Sequence, residues 1–134
     1  MSDFQLDPRL AADSRLVVTL GLTQLRLMDD ARWPWLILIP QRPRIEEIFD
    51  MTPLDQTMLT FEAGLAATAL KEATGCHKIN IGALGNKVRQ FHLHVIARNE
   101  GDANWPGPVW GYGVAEPWKK PDRDAFVDRL MGAL

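Results

Sequence analysis

The sequence predicts an α+β domain built on an antiparallel sheet of about five strands, with one long and one short helix. Segments with strand character outnumber those with helical periodicity. Most links between successive strands are too short for the crossover that parallel strands need. The chain has 134 residues, of which 46% are hydrophobic, which suffices for one domain with a real core.

Three strands are predicted in the first third of the chain. Residues 14–21, SRLVVTLG, are rich in β-branched side chains and end at a glycine. Residues 22–28 alternate in polarity and follow as a second strand after a tight turn. Residues 35–39, WLILI, form a continuous apolar run closed by Pro40, which is typical of a central strand covered on both faces.

The long helix is expected to begin after Thr52 and to end before Gly75. Thr52 can cap the helix, Pro53 suits its first position, and glycine is a common helix stop. A preceding turn of helix is compatible with residues 45–49. Apolar side chains recur at helical spacing along the long helix, namely Met58, Phe61, Leu65, Ala69, Leu70 and Ala73.

The remaining elements are two strands and a helical tail. Residues 78–81 and 88–97 are predicted strands, joined by a glycine-punctuated loop. Beyond Asn99 the chain is polar and proline-rich, and a helix is predicted for residues 122–134. We expect residues 1–113 to form the domain, and residues 114–134 to be a helical tail that packs on it or extends it.

Charge and cysteine content narrow the classes of function. The chain carries 15 basic and 17 acidic residues without a basic stripe, so no nucleic-acid partner is expected. A single cysteine, Cys76, excludes an internal disulfide and fits a reducing compartment. The N-terminus lacks the apolar core of a signal peptide, and the longest apolar stretch, residues 33–40, is too short to span a bilayer. We therefore expect a cytoplasmic protein with no membrane partner.

Two of the three histidines stand two residues apart in the last predicted strand, within QFHLHVIAR. Because side chains alternate across a strand, Gln90, His92 and His94 are expected to share one face, with Cα atoms roughly 6 to 7 Å apart in steps of two residues. Three interpretations remain open from these residues alone. They are an ordinary half-exposed strand, a pair of metal ligands without a good third ligand, and phosphate chemistry with one imidazole as the nucleophile.

The wider segment resembles the histidine triad (HIT) superfamily of nucleotide hydrolases and transferases, of the bacterial type. That family's pattern is Asn-x-Gly, then Gly-Gln/Asn-x-Val, then His-φ-His-φ-His, where φ is apolar. The matching segments here are NIG at 80–82, GNKV at 85–88, QFHLHV at 90–95, WLILIPQRP at 35–43, IEEIFDMTPLD at 45–55 and NWP at 104–106. This ordered set implies a HIT-like fold over roughly residues 14 to 110.

The resemblance implies roles for individual residues. His92 would be the nucleophile that attacks an α-phosphorus and forms a nucleotidyl-histidine, which water then hydrolyses. His94 would donate to a phosphate oxygen or help with proton transfer. Asp29 or its neighbour Asp30 would hold the ribose, although two adjacent aspartates in a turn are also ordinary turn formers. The residues implied at the phosphate are Asn80, Gly85, Asn86 and Lys87.

Two positions depart from the family's pattern. Gln90 stands at the first triad position, where an amide can orient groups but cannot act as an acid. Trp35 stands where many relatives carry a further histidine, and it would either pack in the core or stack on a ligand. Arg98 would either meet distal phosphates or lie in solvent. Gln90 and Trp35 keep an alternative open, a nucleotide-binding or sensing protein with little catalysis.

The activity that the resemblance implies is hydrolysis at the α-phosphorus of a dinucleoside polyphosphate or a nucleoside phosphoramidate, with release of a nucleoside monophosphate. No cofactor and no bound metal are expected, apart from a divalent cation that accompanies a polyphosphate substrate. The expected partners are the small-molecule nucleotide and a second copy of the chain. Family members are usually homodimers joined through the long helix and its adjoining strand.

Overall fold

The sheet is antiparallel throughout, as predicted. The structure, a computed structural model, describes residues 3–134, so Met1 and Ser2 of the predicted 1–113 domain lie outside the described residues. The strands are β1 (Ser14–Thr19), β2 (Thr23–Met28), β3 (Trp35–Pro40), β4 (Lys78–Ala83) and β5 (Leu93–Arg98). They form one sheet in the order β1-β2-β3-β5-β4, and each pair of neighbours is antiparallel.

The helices include one that the sequence did not reveal. They are α1 (Pro8–Asp13), a 3-10 turn (Ile48–Asp50), α2 (Pro53–Thr74) and α3 (Lys120–Ala133). The unpredicted α1 is short, and the Asp7 carboxylate caps it by accepting from the Arg9 N–H. The long helix α2 has the predicted ends, with the Thr52 hydroxyl as cap and Gly75 in the left-handed conformation at φ 64°. Within residues 3–134, no helix combines the length and apolarity needed to cross a membrane.

The two faces of the sheet are buried by different parts of the chain. One face packs against α2 and α3 and forms the larger core cluster. The other face is covered by the N-terminal segment and by residues that follow β5. Its cluster contains the buried residues Leu10, Trp33, Trp35, Ile37, Ile39, Ile96 and Val109, with Phe4, Leu6 and Val88 packed against them. His94 points to this second face, since it pairs with Ile37 of β3.

The buried face of α2 is not the stripe of large apolar residues that its sequence suggests. The helix buries Leu59, Glu62, Ala63, Ala66, Ala69 and Leu70. Small side chains let the helix approach the sheet closely, whereas a phenylalanine on that face would hold the two apart. Met58, Phe61 and Leu65 are therefore exposed, and Phe61 is 62% exposed.

The last strand begins later than predicted. Pairing of β5 starts at Leu93 opposite Ala83, so residues 88–92 of the predicted strand lie in a loop. The cause is Phe91, whose N–H donates to the Ile45 carbonyl at 2.9 Å, and whose ring packs in a separate cluster. The alternation of side chains across a strand therefore does not extend back to Gln90, the first of the three residues expected on one face.

Glu62 is a buried carboxylate that joins α2 to the turn between β1 and β2. It is 2% exposed and accepts from the N–H groups of Leu22 and Thr23 and from the Thr23 hydroxyl, at 2.7 to 2.9 Å. We expect Glu62→Ala to lower the free energy of unfolding by about 3 kcal/mol, because three buried donors lose their acceptor. Urea denaturation followed by circular dichroism measures the loss.

Glu72→Ala is the control for this prediction. Glu72 is an exposed residue of the same helix, and its removal is expected to change the free energy of unfolding by less than about 0.5 kcal/mol. Similar losses in the two variants would contradict the structural role assigned to Glu62.

Candidate active site

His92 ends the loop that precedes β5 and lines a cleft of about 530 Å³. Its side chain is 7% exposed, and its Nδ1 lies 2.7 Å from the carbonyl oxygen of Gln90. A carbonyl oxygen can only accept, so Nδ1 carries a hydrogen, and in the neutral ring Nε2 is the nitrogen that keeps its lone pair. In that form the ring presents the unprotonated nitrogen that a nucleophilic imidazole needs.

His94 is held in the opposite tautomer. The indole N–H of Trp35 donates to His94 Nδ1 at 2.9 Å, and an indole nitrogen can only donate. The hydrogen of the neutral His94 ring therefore lies on Nε2, which is 3.4 Å from the Leu84 carbonyl oxygen. That distance is longer than an ordinary hydrogen bond, so this N–H remains available to a closer acceptor.

The two imidazoles are buried and lie against each other. Their ring centroids are 4.8 Å apart, and the Trp110 ring packs edge-on to His94 with centroids at 5.2 Å. Burial is the larger, and repulsion from His92 when that ring is charged is the smaller, of the two causes that lower the pKa of His94 to about 4. At pH 7 the His94 side chain is therefore a neutral hydrogen-bond donor and not an acid.

Trp35 has both a packing role and a polar one. Its ring meets that of Trp33 edge to face, with centroids 6.0 Å apart, and it is a buried member of the second core cluster. Its N–H supplies the hydrogen bond that orients His94. The sequence indicated the packing as one alternative, but nothing local to residue 35 indicates the bond to a histidine on another strand.

Gln90 directs its side chain away from His92. Its amide oxygen accepts from the Asp7 N–H and its amide nitrogen donates to the Gln5 carbonyl, both at 2.8 Å. Only the main-chain carbonyl of Gln90 contacts the His92 ring. The shared face expected for residues 90, 92 and 94 is therefore wrong for residue 90, because that residue precedes the strand.

The predicted phosphate loop lies along the cleft. Gly85 and Asn86 line it together with His92. A Cβ at Gly85 would lie 2.8 Å from the Val88 carbonyl oxygen and 3.8 Å from His92 Cε1, so no larger residue fits there. The side chain of Lys87 is exposed, and its carbonyl accepts from the Arg9 guanidinium at 2.8 Å.

Three charged residues of the cleft were missed by the sequence analysis. Glu46, Glu47 and Arg89 line it beside His92. The first two belong to the segment before α2, which reaches the site through the hydrogen bond between Ile45 and Phe91, a contact that no local pattern indicates. Among the described residues, no group of three or more His, Cys, Asp or Glu side chains is placed to hold a metal ion.

Two predicted binding residues lie apart from this lining. Asn80 is on β4, with its Oδ1 3.4 Å from the guanidinium of Arg98. Asp29 lines a second cleft of about 420 Å³, which Trp35 also lines, and its carboxylate accepts from the Trp118 N–H at 2.9 Å.

Arg98 lies in neither of the two environments expected for it, which were solvent and a site for distal phosphates. It is 1% exposed and pairs with Asp102 at 2.7 Å. Its Nη1 also donates to the Gly107 carbonyl at 2.8 Å. The guanidinium therefore organises the turn after β5 and reaches neither solvent nor the cleft of His92.

The chain belongs to the HIT family, since residues 9–101 match the model of the HIT domain. A crystal structure of a HIT protein from Sinorhizobium meliloti 1021 is 63% identical, with 98% of each chain covered and a TM-score of 0.97. Histidine triad proteins from Bradyrhizobium japonicum and Marinobacter aquaeolei VT8 are each 40% identical with TM-scores of 0.95. The comparison with the Bradyrhizobium japonicum protein covers 97% of each chain. The comparison with the Marinobacter aquaeolei protein covers 98% of this chain and 96% of that protein. The predicted fold class is confirmed.

The sequence is also similar to curated relatives of greater length. AP-4-A phosphorylase from two strains of Mycobacterium tuberculosis is 29% identical over 117 residues, which are 80% of this chain and 58% of the relative. The chain thus spans less than two thirds of the length of these relatives.

The pKa of His94 predicts a loss of stability in mildly acid solution. The folded-state pKa, about 4, lies below the ordinary value of 6.5, so the unfolded chain binds more protons between these values. The stabilisation is complete above about pH 6.5 and decreases by about 3 kcal/mol as the pH falls to about 4. Urea unfolding at pH 7 and pH 4 measures this decrease in the free energy of unfolding. In His94→Asn the decrease should be smaller by about 3 kcal/mol. An identical pH dependence in both proteins would contradict the assignment.

Proposed function

We propose that the protein cleaves a nucleotide at its α-phosphorus and releases a nucleoside monophosphate through a nucleotidyl intermediate on His92. The observation that carries this proposal is the hydrogen bond from His92 Nδ1–H to the Gln90 carbonyl, which makes Nε2 the free nitrogen of the neutral ring beside the cleft. Membership of the HIT family supports it. We assign the activity to the cytoplasm, for which a free and buried Cys76 is suited.

The first step forms a phosphorus–nitrogen bond. His92 Nε2 attacks the α-phosphorus, and the bond to the leaving group breaks with its electron pair on that group. The N–H of His94 and the backbone N–H groups around Asn86 are suited to hold the phosphate oxygens as their charge grows. The positive charge that develops on His92 is stabilised by its Nδ1–H bond to the Gln90 carbonyl.

The second step returns the enzyme to its starting state. Water attacks the phosphorus, the phosphorus–nitrogen bond breaks, and the electron pair returns to His92 Nε2. The proton lost by water passes to solvent, and the nucleoside monophosphate departs. The phosphoramidate is labile enough for this step because imidazole is a good leaving group.

The order of substrates follows from the groups that can supply a proton. Gln90 has no titratable proton, and His94 is neutral at pH 7 because its pKa is about 4. A polyphosphate departs as a stable anion, whereas an amine needs protonation. We therefore infer dinucleoside polyphosphates as the first substrate class and nucleoside phosphoramidates as the second. A divalent cation would enter only as a companion of the polyphosphate.

The nucleoside would occupy the second cleft. Trp35 lines that cleft and donates to His94, and the His94 ring packs on His92 of the first cleft, so a series of ring contacts runs from one cleft to the other. Asp29 lines the same cleft and would hold the ribose.

His92→Ala is expected to reduce release of AMP from diadenosine polyphosphate at least about 1,000-fold, because it removes the nucleophile. Binding of AMP should be retained. Intact-mass and peptide analysis after brief mixing and a rapid quench that preserves phosphoramidates should find an adenylyl group on His92 in the wild type. Adenosine phosphoramidate in a parallel reaction shows whether the amine leaving group is tolerated.

His77→Ala is the matched control, because His77 is an exposed histidine immediately before β4, and it should keep wild-type activity. Neither adduct nor AMP from a wild-type protein that still binds AMP would favour the nucleotide-binding alternative. Release of ADP in place of AMP when inorganic phosphate is added would identify phosphate as the second nucleophile.

We also propose that the protein is a homodimer. The strand β4 is an edge of the sheet, and Ile81 on it is 52% exposed. The exposed apolar stripe of α2 comprises Leu54, Met58, Phe61 and Leu65. A row of large apolar side chains on a helix together with an open strand edge favours association with another protein surface.

Phe61→Glu is expected to convert the dimer to a monomer, because it places a charge within the apolar stripe of α2. Sedimentation velocity measures the molecular mass. Thr60→Glu adds the same charge on another flank of the same helix and should leave the dimer intact. A wild-type protein that sediments as a monomer would disprove the proposal.

A further inference from the structure

The loop of residues 84–92 carries His92 and three of the four residues predicted at the phosphate, Gly85, Asn86 and Lys87, yet it lies outside the sheet. The strand β4 ends at Ala83 and β5 begins at Leu93, opposite it. No strand pairing therefore holds the loop backbone in the described structure. A nucleophile needs a fixed position, so other contacts must supply the rigidity.

The N-terminal segment, residues 4–10, supplies such contacts. The Gln90 amide donates to the Gln5 carbonyl and accepts from the Asp7 N–H, both at 2.8 Å. The Arg9 guanidinium donates to the Lys87 carbonyl, also at 2.8 Å. The segment is itself anchored, because Leu10 is buried in the second core cluster and Leu6 packs against it. Val88 of the loop packs against the same cluster.

Gln90 connects this segment to the chemistry. Its side chain is bound to the N-terminal segment, while its main-chain carbonyl accepts from His92 Nδ1 at 2.7 Å. A displacement of the loop would move that carbonyl away from the imidazole. The His92 ring would then be free to rotate and to carry its hydrogen on either nitrogen.

We propose that Gln90 is a positioning residue, and that the N-terminal segment holds the loop so that the Gln90 carbonyl keeps His92 in the Nδ1–H tautomer. This inference rests on the proposed function and deepens it. The amide at the first triad position acts through His92 and does not itself touch the substrate.

Asp7 allows one of these hydrogen bonds to be removed without truncation. Its φ of −55° is one that proline adopts. Asp7→Pro therefore removes the N–H that donates to the Gln90 amide oxygen and is compatible with the backbone conformation. Asp7→Ala removes the capping carboxylate of α1 but keeps the N–H. The difference between the two variants therefore isolates the hydrogen bond to Gln90.

Rates of AMP release from diadenosine polyphosphate are the first readout. Gln90→Ala and Asp7→Pro are expected to lower kcat by about 10- to 100-fold with little change in KM, because a misplacement of roughly 1 Å can reduce the rate 100-fold. Asp7→Pro should be at least about tenfold slower than Asp7→Ala. The double variant that combines Gln90→Ala with Asp7→Pro should be no slower than the slower of these two single variants. Gln56→Ala removes a comparable bond, from a glutamine amide to the Met51 carbonyl at 2.9 Å, and should stay near the wild type.

Nitrogen-15 NMR of the histidine rings is the second readout. The wild type should show His92 protonated at Nδ1, and both Gln90→Ala and Asp7→Pro should show mixed tautomers. This readout needs no turnover, so it still tests the inference if the wild type releases no AMP, a result that counts against the proposed function alone. The inference is overturned if Asp7→Pro matches Asp7→Ala in tautomer and rate, or if Gln90→Ala retains the wild-type tautomer and rate.

Discussion

Two hydrogen bonds with a fixed direction determine what this site can do. The Trp35 indole can only donate and the Gln90 carbonyl can only accept, so His94 and His92 are held in opposite tautomers. Among the hydrogen bonds of residues 3–134, neither ring is bound to a carboxylate. In their neutral forms the two buried rings therefore differ, since Nε2 of His92 has a free lone pair and Nε2 of His94 has an N–H.

The two rings depend on different parts of the fold, although they are only two residues apart. His94 is fixed by the sheet, where it pairs with Ile37 on one side and Gly82 on the other. A side chain at Gly82 would crowd this arrangement, because a Cβ there would lie 3.1 Å from the Trp110 ring, which would have to shift. His92 belongs to a loop whose contacts come from distant segments. Loss of the hydrogen bonds between the N-terminal segment and the loop would therefore act directly on His92, whereas the strand pairing of His94 would remain.

The features that the sequence predicted correctly are those specified within a few residues. The apolar run of β3, the Thr52 cap of α2 and the Gly75 stop are local signals, and all three are present. The spacing of the two histidines is local in the same sense, and the structure brings their rings together.

The features that were missed are specified by residues far apart in the chain. The late start of β5 depends on a bond between Phe91 and Ile45, and the orientation of Gln90 depends on Gln5 and Asp7. The exposed apolar stripe of α2 was misread because helical periodicity shows that a face exists, but does not show what covers it.

Trp35 fixes the tautomer of its neighbour in a way that a titratable residue would not. A histidine at this position could exchange a proton with His94 and reverse its tautomer, whereas the indole N–H of Trp35 can only donate. The rings of His92 and His94 are 4.8 Å apart, and two like charges at that separation repel by about 3 kcal/mol at an effective dielectric constant of about 20. The pair therefore resists a second proton. His94 is therefore poorly suited to protonate a departing amine. This supports the proposed preference for leaving groups that depart as anions.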